Sequence, residues 1–450
     1  MPTIRHLGTN AFAFSINSGT RGFLVTYPLF LARLLVRSGV ARWLPSVRYW
    51  TKGGTEVLHH YSDWVLAAPY SELSAFGEFR EVHGPDTIDL ALGSPRFDLA
   101  PSGTTKLPAE RRGWPPATGL AELRDAVAVK LAAEQQVMVD AGDEVLITQG
   151  AAGAVSVVLD TFVNARDRVV VLAPTSPLYA LALKHRRARL RWVSSWMENG
   201  RLRFRLDQFA RAVRGARLVI VNSPANPTGG VLAPEDLEQI AWWSERRDAL
   251  ILSDEVFAAY HYQGQAPSIG ALPRARRRTL VVGSVSKEFA LASARVGWLT
   301  GHRHLLRPCT LVSALHTPFV PTLCQQIALS VLQQGSGAFA AIRTQFSSRR
   351  RYAFERLQAM GLRPEWPEGA FFLWVGLNGP TADGRTFARQ LLHEQKVLVS
   401  PGDVFGPGGA DHIRISYAME DGRLREGLSR IAQFVAGKRA VPAQHPPQAA

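Results

Sequence analysis

Cysteine is almost absent: Cys309 and Cys324 are the only two in 450 residues. That excludes a disulfide framework and a thiolate-held metal site. No HExxH-type motif and no cluster of histidines with acids appears either, so no catalytic metal is expected. Lysine is scarce too, with seven among the 52 basic side chains, so arginine carries the formal charge of +15. Its densest runs, "KHRRARLR" (184–191) and "RARRR" (274–278), are short and have no aromatic platforms between them. They read as solvated faces or contacts for an anionic ligand, and no nucleic-acid partner is expected.

Long apolar runs are missing as well. "GFLVTYPLFLARLLV" (22–36) contains Pro28 and Arg33 and falls short of the ~20 residues needed to span a bilayer. No small-residue cleavage pattern follows it, which argues against a secretory leader. The stretch reads as a helix docking on the body of the protein, with peripheral membrane contact as the alternative. A cytoplasmic location is the expectation. The tail "GKRAVPAQHPPQAA" (437–450) reads as disordered.

What the chain does have is a 46% hydrophobic content, enough for a large core and two domains. Buried strands are predicted at "EVLIT" (144–148), "RVVVLA" (168–173), "RLVIVN" (217–222), "ALILS" (249–253) and "TLVVG" (279–283). Helical patterns alternate with them; Leu120, Leu123, Val127 and Leu131 mark one amphipathic helix. This alternation is the pattern of an α/β fold, a mainly parallel sheet between helices. From about residue 310 long helices take over, followed by a strand pair at "AFFLWVGL" (370–377) and "HIRISY" (412–417), a smaller α+β domain.

The predicted strands end in Gly150-Ala151-Ala152, Pro174–Tyr179, Asn222–Gly229, Asp254-Glu255 and Ser284–Lys287. In a parallel sheet such ends share the ligand-binding edge. The group they form matches the needs of pyridoxal phosphate. Its aldehyde calls for a lysine with a lowered pKa, Lys287. Its ring nitrogen stays protonated beside a buried carboxylate such as Asp254. Its phosphate suits the N–H groups of the helix that begins at Gly150, with Ser284 and Arg295 completing the site.

Taken in order, "NPTG" (226–229), "DEV" (254–256), "SVSK" (284–287) and "RVGW" (295–298) resemble the class I/II aminotransferases, the fold-type I pyridoxal-phosphate enzymes. "LALGSPRFD" (90–98), "GLAELRDAV" (119–127) and "FGPGGADHIRISYA" (405–418) resemble that family's terminal motifs. The resemblance implies that Lys287 is the Schiff-base lysine and the proton shuttle, and that Asp254 pairs with the ring nitrogen. Asn226 bonds the phenolate oxygen, Ala151, Ala152, Ser284 and Arg295 hold the phosphate, and Ser286 is a further cofactor-binding residue. Arg414 clamps the substrate α-carboxylate, with Asn226 beside it and the backbone of Gly93 closing over the same group. It also implies a homodimer with active sites at the subunit interface. The domains then run 1–84 (an extension and the start of the small domain), 85–104 (small domain), 105–312 (large, cofactor-binding) and 313–436 (small).

Three positions depart from the family. Phe257 stands where a tyrosine usually donates to the phenolate oxygen, and Ser176 where an aromatic ring stacks on the cofactor. Trp114 replaces a tyrosine that reaches the partner subunit's phosphate. Tyr179, Tyr260 and Tyr262 are nearby candidates to compensate. The implied activity is exchange of an amino group between an α-amino acid and a 2-oxo acid. The departures keep open a lyase, decarboxylase, cyclase or oxidase acting on an amino acid. A cofactor-binding transcription regulator is the remote alternative, but residues 1–85 show no helix-turn-helix pattern.

Overall fold

A computed structural model describes residues 3–6, 11–16, 23–28, 86–91, 93–95, 97, 113–335, 337–378 and 383–440. The chain divides into two units, Met1–Val82 and His83–Ala450. In the first, β1 (Thr3–His6), β2 (Ala11–Ile16) and β3 (Phe23–Pro28) form an antiparallel sheet in that order. The expected docking helix at 22–36 is therefore a strand over Phe23–Pro28. Its β-branched and aromatic residues pair with β2. Residues 29–36 lie outside the described residues.

The second unit begins with β4 (Ile88–Asp89) and α1 (Ala121–Gln135). Leu123, Val127, Leu131 and Gln135 recur every four residues of α1 and form its buried stripe. Next come β5 (Val145–Gln149), α2 (Gly150–Phe162), β6 (Arg168–Ala173), α3 (Pro177–His185), β7 (Arg189–Glu198) and β8 (Arg201–Phe204). They are followed by α4 (Leu206–Ala212), β9 (Ala216–Asn222), α5 (Pro234–Arg246), β10 (Leu250–Asp254), β11 (Thr279–Ser284), α6 (Val285–Glu288) and β12 (Val296–Gly301). Eight strands form one sheet in the order β5-β12-β11-β10-β9-β6-β7-β8. Its centre, β11-β10-β9-β6-β7, is parallel, while β12 runs antiparallel to both neighbours and β8 to β7.

Alternation along the strands sends side chains to two separate cores. Leu218, Ile220, Leu252, Leu280 and Val282 pack under α2, while Val170, Val219, Val221 and Ile251 pack under α4 and α5. Each such side chain contributes roughly 1.5–3 kcal/mol by leaving water. Across the β11–β12 pair Gly283 faces Trp298, and a Cβ there would lie 2.2 Å from the indole nitrogen. Glycine is needed because the indole fills that space.

After β12 come α7 (Arg303–His316), α8 (Thr322–Leu332), α9 (Gly337–Ala359), β13 (Arg363–Pro364), β14 (Phe372–Gly376), α10 (Gly384–Gln395), β15 (Val397–Leu398), β16 (Ser400–Pro401), β17 (His412–Ser416) and α11 (Asp421–Ala440). β13-β14-β17-β16 form a second sheet, and β15 pairs with β4. The expected strand pair is β14 with β17, joined antiparallel so that Trp374 faces Arg414. Residues 437–440 of the expected tail are helical, and 441–450 lie outside the described residues.

Candidate active site

The carboxyl ends of β5, β6, β9, β10 and β11 surround a cavity of about 260 Å³, into which the second sheet presents Phe372 and Arg414. The lining brings together Gly93, Ala151, Ala152, Ser176, Asn226 and Asp254. Phe257, Ser284, Ser286, Lys287, Arg295 and Arg414 join them. Of the cofactor- and substrate-site residues expected from sequence, only Trp114 stays outside, and of the three candidate tyrosines Tyr179 alone lines the cavity. Trp114 is 85% exposed, with its ring against Phe319 at 5.1 Å.

Lys287 sits in the short turn of α6, directly after β11. Its ammonium donates to the Gly93 carbonyl at 2.5 Å. Burial pushes its pKa down to about 8, helped by the positive charges of Arg414 and Arg295 and opposed by Asp254. An amine tuned this way is partly neutral near physiological pH, the condition for a nucleophile or proton acceptor.

Asp254 ends β10 and is buried, and burial raises its pKa. The Tyr179 hydroxyl donates to its Oδ2 at 2.6 Å and lowers it again, as does the Val256 N–H on Oδ1 at 3.3 Å. From sequence, Tyr179 is a candidate to compensate for the missing family aromatics. Its hydroxyl is in fact the side-chain partner of the key acid. Asn222 was missed. It ends β9 in register with Asp254, donates from Nδ2 to the Asp254 carbonyl at 3.0 Å, and accepts the Asn226 N–H at 2.8 Å. A polar residue closing an apolar strand was the available signal.

Arg414 is 4% exposed, and no carboxylate within ion-pair distance balances it among the described residues. Its Nη1 donates to Asn226 Oδ1 at 2.6 Å, and Nη2 donates to the Ala91 carbonyl and to Ser400 Oγ. The guanidinium stacks on Phe372 and Phe405, 4.3 and 4.9 Å from their centroids. Nε is buried without a partner, and burial pushes the pKa down to about 9 against the opposing charge of Asp89. A buried cation short of an acceptor is the environment that an anionic ligand group completes.

At the opposite end α2 begins with Gly150 at φ +66°, and a Cβ there would fall 2.5 Å from Arg295 Nη2. A Cβ on Gly297 would lie 2.7 Å from the Ala151 nitrogen. The two glycines thus let a guanidinium and the helix N-terminus approach closely. Ser284 Oγ accepts the Ser286 N–H at 3.0 Å and lies 2.7 Å from Ser286 Oγ. Serines, an arginine and free N–H groups at a helix start form an oxyanion cradle.

The departures from the family pattern have their own geometry. Phe257 packs edge-on against Phe371 and Phe372, with centroids 5.4 and 5.5 Å away. The Tyr260 hydroxyl donates to the Lys287 carbonyl at 3.0 Å and that of Tyr262 to the Ala370 carbonyl at 2.8 Å, so neither replaces the missing phenol. Ser176 precedes α3 without a side-chain capping bond.

Residues 85–431 match the family described as aminotransferase class I and II. An aspartate aminotransferase from Pyrococcus abyssi is 29% identical over 362 residues, 79% of this chain and 93% of that protein. An aromatic-amino-acid aminotransferase 2 from Thermococcus litoralis is 30% identical over the same shares. The structure of the Thermus thermophilus aspartate aminotransferase with maleate superposes with a TM-score of 0.75 at 29% identity, covering 83% of this chain and 99% of that one. The chain belongs to the class I and II aminotransferases and has their fold-type I architecture. It is an amino acid aminotransferase, a transferase acting on amino acids and 2-oxo acids.

Proposed function

We propose that this chain binds pyridoxal 5′-phosphate in the 260 Å³ cavity and transaminates α-amino acids there. The donor set fits the group: an oxyanion cradle at one end, a buried acid, and a lysine with a lowered pKa between them. Ala151, Ala152, Ser284, Ser286 and Arg295 would hold the phosphate, Asp254 the ring nitrogen, Asn226 the phenolate oxygen, and Lys287 the aldehyde carbon. When bound, the cofactor supplies an electron sink for charge that develops at the substrate α-carbon.

The chain's own residues do the rest. Arg414 holds the α-carboxylate with its planar fork, and its bond to Asn226 fixes that amide's orientation. Lys287 moves the proton at the α-carbon. Tyr179 and Asn222 fix Asp254, and the apolar walls of Phe257 and Phe372 exclude water. The observation that carries the reading is the pairing in one cavity of Lys287, lowered to about 8, with the buried Arg414, whose Nε lacks a partner.

The working unit is a homodimer in the cytoplasm. Exposed Trp114, with Leu311 and Leu315 on α7, supplies apolar surface for a second copy. The unit boundary at Val82 supports reading the first 84 residues as an extension. Incubating the loaded protein with a panel of L-amino acids and pyruvate or 2-oxoglutarate tests the activity. Amination of the 2-oxo acid is expected. Release of carbon dioxide or ammonia with no new amino acid would move the assignment to a decarboxylase or lyase.

A further inference from the structure

The arginine runs look scattered in sequence, but strand pairing gathers three of them at one place. β6, β7 and β9 begin side by side, so their amino ends share the sheet edge opposite the cavity. Arg166 precedes β6, which opens with Arg168; Arg187 precedes β7, which opens with Arg189; and Arg214 precedes β9, whose second residue is Arg217. Arg168 and Arg189 are register partners, and the Arg166 N–H donates to the Arg187 carbonyl at 2.9 Å. Arg191, two residues into β7, donates from Nη1 to the Ala212 and Arg214 carbonyls. Burial, and then the charges of Arg168 and Arg189, push its pKa down.

Counter-charge is scarce there. Within 163–168, 186–191 and 213–217 the only acid is Asp167, whose carboxylate accepts the Asn164 N–H of its own turn. Arg186 is taken by Asp160. Arg166, Arg168, Arg187, Arg189 and Arg214 form no side-chain ion pair among the described residues. Two of them also break a local rule. Arg166 has φ +72° and Arg187 φ +56°, a region that favours glycine or asparagine.

We propose that this edge is an electrostatic docking surface for the phosphate backbone of duplex nucleic acid, distinct from the catalytic cavity. The cations are guanidiniums gathered at the starts of three paired strands and the turns before them, the group best matched to phosphate oxygens. No large hydrophobic side chain is exposed in these turns, so there is neither a stacking platform for single-stranded bases nor a wedge for a lipid surface. Contact is therefore with the backbone, independent of sequence and steeply salt-dependent.

The test uses the full chain, a fluorescein-labelled duplex of ~20 base pairs and salt from about 50 to 200 mM. The triple variant Arg166→Asn, Arg187→Asn, Arg189→Gln keeps the backbone comfortable, since asparagine adopts positive φ readily. A charge-matched control, Arg277→Gln, Arg351→Gln, Arg389→Gln, removes equal charge elsewhere. The edge variant should bind at least ~10-fold more weakly, and its log–log salt slope should fall by about 2–3 as three phosphate contacts go. The control should stay within about twofold, and transamination should be unchanged in both. Equal losses in both triples would reduce the effect to net charge and overturn the proposal. So would no duplex binding at low salt, or tighter binding to phosphatidylserine vesicles or polyglutamate than to the duplex.

Discussion

Replacing Tyr179 by phenylalanine removes one hydroxyl from a buried pair and little else. Tyr179 is 1% exposed, and its hydroxyl lies 2.6 Å from Asp254 Oδ2. Burial raises the Asp254 pKa, and the Tyr179 bond is the first of the forces that bring it down. A hydrogen bond to a charged group contributes ~1.5–3 kcal/mol. If all of that serves to keep Asp254 ionised in the reacting state, kcat falls by roughly 10- to 150-fold. The sign of the pH effect follows. Without the bond Asp254 takes up its proton at higher pH, so the acid limb of kcat/KM moves to higher pH. A hydroxyl that only supports packing would lower Tm and leave the limb in place. The assay is a pH–rate profile of the loaded variant beside a thermal melt. Activity within about twofold of the parent and an unmoved acid limb would refute the reasoning.

Three further perturbations probe other parts of the site. Arg414→Ala should raise KM for α-amino acids far more than for the corresponding amines, because only the acids use the buried fork; equal losses in a steady-state comparison would make Arg414 structural. Gly150→Ala must place a Cβ 2.5 Å from Arg295 Nη2 at φ +66°, so the cofactor's dissociation constant should rise at least ~10-fold in a fluorescence titration; unchanged affinity would remove this cradle from phosphate binding. Burial pushes Glu255 up to about 7, against an ordinary 4.5, while Ser253, Ser268 and Gln135 donate to it. The folded state then keeps a proton that the unfolded chain has released. This contribution is full below about 4.5, is lost as pH rises through about 7, and amounts to on the order of 3 kcal/mol. Glu255→Gln should flatten the fall of the urea midpoint between those pH values, and parallel curves for variant and parent would contradict it.

The central strands were legible because each is a short apolar run, and the polar residues at or just past the ends of β9, β10 and β11 picked out Asn226, Asp254 and Lys287. β7 escaped notice because arginines, serines and a glutamate interrupt Leu190, Trp192, Val193 and Met197, so no continuous apolar run marks it. β12 was hidden behind a motif, "RVGW", that drew attention to Arg295 instead of to the strand. Tyr179 and Asn222 acquire their partners only through folding. One reaches Asp254 from the first turn of a helix, the other through strand register. The arginine edge escaped for the same reason. Residues 168 and 189 become neighbours only when β6 pairs with β7. Trp114, facing solvent, has no role that one copy of the chain can explain.

The central claim is that Lys287 is the covalent anchor of the cofactor. Borohydride reduction of the protein loaded with pyridoxal phosphate, followed by peptide mapping, tests it directly. The reduced pyridoxyl group should be found on the peptide containing Lys287, and Lys287→Ala should carry none. The label on any of the other six lysines, or an undiminished label in Lys287→Ala, would contradict the account.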